Sequence, residues 1–161
     1  MKTDAIKLVT FRLGEDVFAA DIFSVERVLR YVAPASVPDA PAWIEGVIEH
    51  RDKVIPVVDL RRRIGLDAAA ITPETRILVL NSTEGWVGTI VDSVIEVAGV
   101  PAASMTPPPP LFRGLAAQFV RGIAKVGEQL VVVLDVYRVL SSDDRIAFDR
   151  AVEGAETLPR G

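Results

Sequence analysis

The chain has 161 residues, half of them hydrophobic, with a formal net charge of −4 and no cysteine. A chain of this length can bury a substantial core, and the lack of cysteine excludes disulfides, thiolate zinc sites and cysteine nucleophiles. The acidic balance argues against nucleic-acid binding. No run approaches the roughly 20 apolar residues of a membrane helix and the first residues do not resemble a secretory signal, so we expect a cytoplasmic protein without direct membrane insertion.

Short runs rich in valine and isoleucine, separated by Gly, Pro, Asn or Asp, predict β-strands along most of the chain. The predicted strands are residues 6–13, 17–22, 54–58, 77–80, 87–91 and 130–134. Turn-forming residues stand between them, for example at 14–16 and 127–129. Short strands at this frequency favour a barrel or a sandwich.

Few helices are expected. Asp59 and Asp135 each end an apolar run, and both are suited to cap the first turn of a short helix. Residues 145–153, which follow a polar and acidic segment, predict a C-terminal helix. The arginine triplet at 61–63 is either a solvated helical turn or a site for a phosphate or an acidic partner.

Four consecutive prolines at 107–110 favour a polyproline II conformation and exclude a central strand. We interpret them as a stiff surface spacer. A ligand for a proline-binding domain is the alternative.

One sequence unit occurs twice. The interval from Gly46 to Asp59 equals that from Gly122 to Asp135, and aliphatic residues fall in phase within it. The repeat also extends upstream of these glycines. Four apolar residues of the first copy, Phe18, Ile22, Val25 and Val28, align with Val87, Val91, Val94 and Val97 of the second. Such a repeat indicates a duplicated structural unit, and so a scaffold built from two similar halves.

Catalytic motifs are missing from the sequence. His50 is the only histidine, and no nucleophile elbow, nucleotide-binding or dinucleotide-binding glycine pattern occurs. We therefore expect a binding module with no enzymatic activity, no metal and no cofactor. An enzyme using carboxylates such as Asp92 and Asp135 is the alternative, and it would require them to converge in one pocket.

Residues 44–61, I-E-G-V-I-E-H-R-D-K-V-I-P-V-V-D-L-R, resemble the signature of the CheW family of chemotaxis coupling proteins, which typically reads I-x-G-V-x-N-L-R-G-x-V-I-P-V-V-D-L-R. Residues 87–97 and 122–140 resemble two further blocks of that family. The resemblance extends from about residue 6 to residue 140.

The resemblance implies a mainly β, CheW-like fold: two tandem five-stranded SH3-like β-barrels with short helices and a C-terminal helix. Residues 1–161 would form a single domain. The first barrel core would lie at about 15–80 and the second at about 81–140, with the termini completing the packing and a C-terminal helix and tail at 141–161.

The implied function is a non-enzymatic adaptor that couples chemoreceptors, the methyl-accepting chemotaxis proteins, to a CheA-type histidine kinase. Its partners would be the regulatory domain of that kinase, on one barrel surface, and the cytoplasmic tip of the receptor, in a groove between the barrels. It would be cytoplasmic, associated with membrane-bound receptor arrays. A variant coupling or regulatory domain, of a non-flagellar chemosensory pathway or of a CheV- or CheA-type protein, is the alternative.

By position, the resemblance assigns partner binding to two blocks of valines and to the turn around Arg51. The predicted partner-binding residues are Val25, Arg27, Val28, Glu49, Arg51, Asp52, Val91 and Val94. For the valines, a place in the ordinary core is the alternative.

Three of these positions depart from the family pattern. Glu49, followed by His50, stands where the family has Asn-Leu. Asp52 stands where the family has glycine, so either Asp52 adopts a left-handed conformation or the turn is less demanding here. Arg27 stands where the family has glutamate. Together with the acidic Glu49 and Asp52, Arg27 suggests an ion pair of reversed sign, which is a hypothesis.

Overall fold

A computed structural model describes residues 5–40, 44–63, 70–82, 85–107 and 119–140. Within these ranges the strands are β1 (Ala5–Leu13), β2 (Asp16–Asp21), β3 (Val25–Arg30), β4 (Ile44–His50), β5 (Lys53–Asp59), β6 (Arg76–Ser82), β7 (Gly85–Val91), β8 (Ser93–Pro101), β9 (Val120–Val126) and β10 (Gln129–Leu134). Short helices α1 (Leu60–Arg63) and α2 (Val136–Val139) follow β5 and β10, and 3-10 turns lie at Ile22–Ser24 and Ala102–Ser104. The predicted C-terminal helix and three of the four consecutive prolines lie outside the described residues.

The strands form two five-stranded sheets with the same internal pattern. Sheet I has the order β8-β1-β2-β10-β9 and sheet II the order β3-β6-β7-β5-β4. In each, an antiparallel hairpin occupies the middle, and its second strand runs parallel to the next strand. The prediction of two five-stranded β units is therefore confirmed.

A backbone bridge draws the edges of each sheet together. In sheet II, Ala35, which follows β3, exchanges hydrogen bonds of 2.8 and 2.9 Å with Val47 of β4. In sheet I, Thr106, which follows β8, does the same with Ile123 of β9 at 2.9 and 2.7 Å. The two bridges curl each sheet towards a barrel.

The two sheets exchange their hairpins. The hairpin β1–β2 joins β8, β9 and β10, whereas the hairpin β6–β7 joins β3, β4 and β5. Each sheet thus combines strands of both sequence repeats, although only sheet I contains strands from both ends of the chain, since β3 to β7 of sheet II are consecutive. The predicted boundary between the two barrel cores near residue 80 stays a prediction. Residue 80 lies within β6, and both β6 and β7 belong to sheet II.

The hairpin strands are buried on both faces. In β6, Ile77 and Val79 pack into an apolar cluster made only of residues from the sheet II half, while Leu78 and Leu80 pack into a second cluster that both sheets share. All four side chains are at most 3% exposed. Burial on both faces explains why these strands appear as unbroken apolar runs in the sequence.

The repeated glycines lie where the bridging segments approach most closely. A Cβ at Gly46 would overlap the carbonyl oxygen of Ala35, and a Cβ at Gly122 would lie 2.6 Å from the carbonyl oxygen of Thr106. Only a residue without a side chain permits these contacts. The duplicated glycine is therefore a requirement of the fold, as the repeat predicts.

The two repeated aspartates cap short helices, as predicted. The Asp135 carboxylate accepts a hydrogen bond from the backbone N–H of Arg138 in α2, and the Asp59 carboxylate accepts one of 3.0 Å from the N–H of Arg61 in α1. Neither helix, nor any other in the described ranges, is long and apolar enough to cross a membrane.

Candidate partner-binding surface

The turn between β4 and β5 has an uncommon backbone. His50 pairs with Lys53 across the hairpin, and the two central residues, Arg51 and Asp52, have φ values of 49° and 65°. Positive φ at both central positions is the mark of a type I′ turn. Of the two alternatives that the sequence left for Asp52, the left-handed conformation is the one observed.

This conformation fixes how the turn presents its side chains. Both Arg51 and Asp52 are exposed, as is Glu49 at the end of β4. A type I′ turn follows the twist of the flanking strands and so forms a rigid tip. The three predicted residues therefore lie together at one end of sheet II, available to a partner.

Arg27 lies beside this tip but does not pair with its acids. One guanidinium nitrogen lies 3.5 Å from Nε2 of His50, and the guanidinium carbon lies 5.9 Å from the centre of the Trp86 ring. Among the described residues, no ion pair joins Arg27 to Glu49 or Asp52. The hypothesis of a reversed ion pair is therefore wrong.

Trp86 connects the turn to the body of sheet II. The Nζ atom of Lys53 lies 3.9 Å from the centre of its ring, on the same ring that Arg27 approaches, and cation–π contacts of this kind are favourable. Neither Lys53 nor Trp86 was among the residues predicted from the sequence. A signal was available, since a tryptophan within the β6–β7 hairpin and a lysine directly after the turn are both unusual in otherwise aliphatic strands.

The predicted valines divide between surface and core. Val28 of β3 is 43% exposed, whereas Val91 of β7 is fully buried in the cluster shared by the sheets. Val25 and Val94 are half-buried and pack against the edge of that cluster. For Val91 the structure thus shows the core alternative, because both faces of β7 are covered. Partner binding by the other three stays a prediction.

An open pocket of about 420 Å³ lies between β3 and β4. Its lining residues come from the end of β3, the bridging segment and β4: Leu29, Arg30, Val32, Ala33, Ala35, Val47, Ile48, Glu49 and His50. Glu49 and His50 thus belong both to the pocket and to the tip. The pocket adds an apolar recess to a surface that is otherwise polar.

Arg61, the first residue of the arginine triplet, fits neither interpretation. Arg61 is only 2% exposed and is the largest fully buried side chain among the described residues. Its Nε and one terminal nitrogen bind the Asp59 carboxylate at 2.9 and 3.0 Å. Arg62 is about half exposed, with Nε 3.8 Å from Asp59. For Arg61, both a solvated turn and an open anion site are therefore wrong, because the side chain is buried and the carboxylate of Asp59 already binds its guanidinium group.

Asp92 completes this buried cluster. Its Oδ1 binds the remaining terminal nitrogen of Arg61 at 2.7 Å, and its Oδ2 accepts a hydrogen bond of 2.6 Å from the backbone N–H of Gly14. Burial lowers the pKa of Arg61, but hydrogen bonds and charges of Asp59 and Asp92 outweigh this effect, so the pKa lies above its usual value. The stability that this shift contributes is fully present below the usual pKa of arginine and is lost only as the pH rises through the raised pKa.

The carboxylates of the enzymatic alternative have separate structural roles. Asp92 binds Arg61 and Gly14, whereas Asp135 caps α2 and lies 3.7 Å from Nε of Arg138. They do not form a shared constellation. Charged, aromatic and apolar groups instead lie together around the turn at 51–52.

Comparison with known proteins gives a consistent result. Residues 7–144 match the family model described as the CheW-like domain. The chain is similar to the chemotaxis protein CheW of Treponema pallidum, with 29% identity over 88% of this chain and 85% of that protein, and to the protein FrzA of Myxococcus xanthus, with 30% identity over 82% and 83%. The crystal structure of the scaffolding protein TtCheW from Thermoanaerobacter tengcongensis superposes with a TM-score of 0.80 at 32% identity, covering 89% of this chain and 92% of that one.

Proposed function

We propose that this chain, which belongs to the family of CheW-like domains, joins the regulatory domain of a CheA-type histidine kinase to the cytoplasmic tips of chemoreceptors. Its general role as a chemotaxis coupling adaptor follows from the family and from the named relatives. The proposal concerns the partners and the surface that they use.

The observation that carries the proposal is the rigid tip of sheet II. Arg51 and Asp52 are exposed and held in a left-handed turn, and Lys53 fixes the base of that turn on Trp86. A turn whose backbone already has its bound conformation loses little backbone entropy on binding. Such a tip is suited to recognise a second protein.

The neighbouring strand supplies apolar contacts. Val28 is exposed on β3, and Val25 is half-buried on the same strand face. An amphipathic helix can lay its apolar stripe on such residues while its polar side meets the charges of Arg51 and Glu49. A receptor tip built of helices would fit this description.

We propose further that the protein has no enzymatic activity and needs no cofactor, because Asp92 and Asp135, the carboxylates of the enzymatic alternative, make separate structural contacts. It would act in the cytoplasm at membrane-bound receptor arrays. The alternative, a variant domain of a non-flagellar pathway or of a CheV- or CheA-type protein, is not better supported, since relatives named chemotaxis protein CheW match most of the chain.

Titration of the full chain against the kinase regulatory domain and against a receptor-tip hairpin tests the proposal. We expect saturable binding to both, and weaker binding to at least one by a variant carrying Arg51→Ala and Asp52→Ala. The matched control is Glu128→Ala in the equivalent turn of sheet I, which should bind as the wild type does. If the wild type bound neither partner, the proposed partners would be wrong. If the Arg51→Ala, Asp52→Ala variant bound both partners as the wild type does, the proposed surface would be wrong.

A further inference from the structure

The buried ion cluster of Arg61, Asp59 and Asp92 connects the two sheets. Asp59 ends β5 and Arg61 belongs to α1, so both are part of sheet II. Asp92 is the single residue between β7 of sheet II and β8 of sheet I. The cluster therefore lies where the chain crosses from one sheet to the other.

Asp92 is anchored on the side of sheet I. Its backbone N–H donates to the carbonyl oxygen of Arg12 in β1 at 2.9 Å, and its Oδ2 accepts from Gly14 in the β1–β2 turn. Its other carboxylate oxygen reaches Arg61 of sheet II. One carboxylate thus holds a group from each sheet.

The geometry of the arginine makes this connection directional. Arg61 offers a planar fork, of which one side binds both oxygens of Asp59 and the other binds Asp92. The shared apolar cluster also holds the sheets together, but hydrophobic contacts are not directional. The fork is what can select one angle between them.

We propose that Arg61 is a positioning residue that fixes the angle between the two sheets, so that partners bound on different sheets are held in one mutual orientation. The first half of this statement stands on the ion cluster alone, and the second half rests on the proposed adaptor function. The candidate surface at Arg51 belongs to sheet II and Val94 to sheet I, so an adaptor that uses both depends on that angle.

The substitution Arg61→Lys separates positioning from charge balance. A lysine keeps a positive charge near Asp59, but its single ammonium cannot reproduce the planar fork that reaches both carboxylates. The matched control is Arg121→Lys. Arg121 contacts Asp21 at 3.3 Å within sheet I, so the same chemical change there leaves the connection between the sheets intact.

A change in the angle can be detected through a distance between the two sheets, because the chain has no cysteine of its own that would also take up a label. Cysteines introduced at the exposed Glu74, before β6, and Glu128, between β9 and β10, would carry spin labels on the two sheets. We expect a narrow distance distribution for the wild type and for Arg121→Lys, and a broader or shifted one for Arg61→Lys. Asp92→Asn, which removes the same contact from the other side, should behave like Arg61→Lys.

Circular dichroism and urea unfolding of every variant would first establish the conditions under which each is folded. If Arg61→Lys and Asp92→Asn were less stable but kept the narrow wild-type distribution, the cluster would be a stabilising contact only and the proposal would be overturned. A broader distribution in both, with an unchanged control, would support it.

The functional half is tested by binding the kinase regulatory domain to protein already saturated with the receptor-tip hairpin. For Arg61→Lys we expect the affinity of this second step to fall about tenfold relative to wild type, a normal size for coupling between sites, while binding of each partner alone changes little. Equal losses in both assays would contradict a positioning role. If the wild type bound neither partner, the proposed function would fail, and the distance measurement would still decide the role of Arg61.

Discussion

Residues 46–62 and 122–138 are copies of one unit, and their differences are as instructive as their likeness. Both begin with a glycine under a bridging segment and contain, thirteen residues later, an aspartate that caps a short helix. Two residues after the aspartate, however, one copy has Arg61, which is buried, and the other has Tyr137, which is 62% exposed. The backbone has been kept while the same position has acquired a different task.

The turns within the two copies differ as well. Arg51 and Asp52 both have positive φ, whereas in the equivalent turn of sheet I only Gly127 does, with φ of 60°. A positive φ at the first central residue alone is typical of a type II′ turn. The fold therefore requires a tight hairpin at both places but leaves the turn type, and with it the presentation of side chains, open to change.

The largest difference between the copies should appear on replacing Arg61. We expect Arg61→Met to lower the free energy of unfolding by about 3 kcal/mol or more, because it leaves the carboxylate of Asp59 buried without its partner. Tyr137→Met at the equivalent exposed position should change stability by about 0.5 kcal/mol or less. Urea unfolding of both variants measures this, and equal losses would contradict the distinction.

The next largest effect on stability is expected from replacing the two repeated glycines. Gly46 has φ of 145° as well as a steric overlap, whereas Gly122 has the close approach without a left-handed φ. Gly46→Ala should therefore cost about 3 kcal/mol from strain and overpacking together, and Gly122→Ala about 2 kcal/mol from overpacking alone. Thermal unfolding of the two variants gives the order, and a larger loss at Gly122 would show that its bridging segment is the stiffer one.

Replacing the second central residue of each hairpin turn with glycine should change stability less, and in opposite directions in the two turns. Asp52→Gly should raise the free energy of unfolding by about 1 kcal/mol, since glycine adopts positive φ without the steric cost borne by aspartate. Glu128→Gly, at the matching position without positive φ, should instead lower it by about 0.5 kcal/mol through the entropy of the unfolded chain. Chemical unfolding measures both; a loss on Asp52→Gly would mean that the Asp52 side chain itself stabilises the turn.

The smallest effect is expected at the exposed ion pair of sheet I. Arg121 and Asp21 are 3.3 Å apart and both partly exposed, so Arg121→Ala should cost about 0.5 kcal/mol or less at low salt. Repeating the unfolding measurement at high salt should abolish the difference. A loss that persists in salt would indicate that Arg121 acts by packing instead of charge.

How much of this could be predicted from the sequence depended on burial. The six predicted strands are β1, β2, β5, β6, β7 and β10, none of which lies at an edge of its sheet. The four that were not predicted, β3, β4, β8 and β9, are the edge strands of the two sheets. Polar residues such as Glu26 and Glu96 interrupt these partly exposed strands and obscure the apolar pattern.

The candidate surface was predictable only in part for a related reason. The turn at 51–52 is local and was found through its resemblance to a known signature. The contacts of Arg27 with His50 and Trp86 depend on three strands meeting. Arg61 binds the nearby Asp59, but its third side-chain hydrogen bond goes to Asp92, 31 residues further along the chain. A charged residue in sequence shows no sign of a partner that arrives from so far away, so Arg61 was expected on the surface.

The exchange of hairpins also sets an order of events during synthesis. Strands β1 and β2 leave the ribosome first, yet their neighbours in sheet I, β8 and β10, are made only after sheet II is complete in sequence. Until then the early hairpin exposes Phe11, Leu13 and Phe18, which are buried in the finished protein. Contacts between such distant segments slow folding and leave apolar surface open to aggregation. Sheet II, whose five strands are consecutive in the chain, can therefore close first, whereas sheet I can close only after β9 and β10 have been made. A nascent chain halted near residue 100 would already possess the strands of sheet II while its first hairpin still waited for β10.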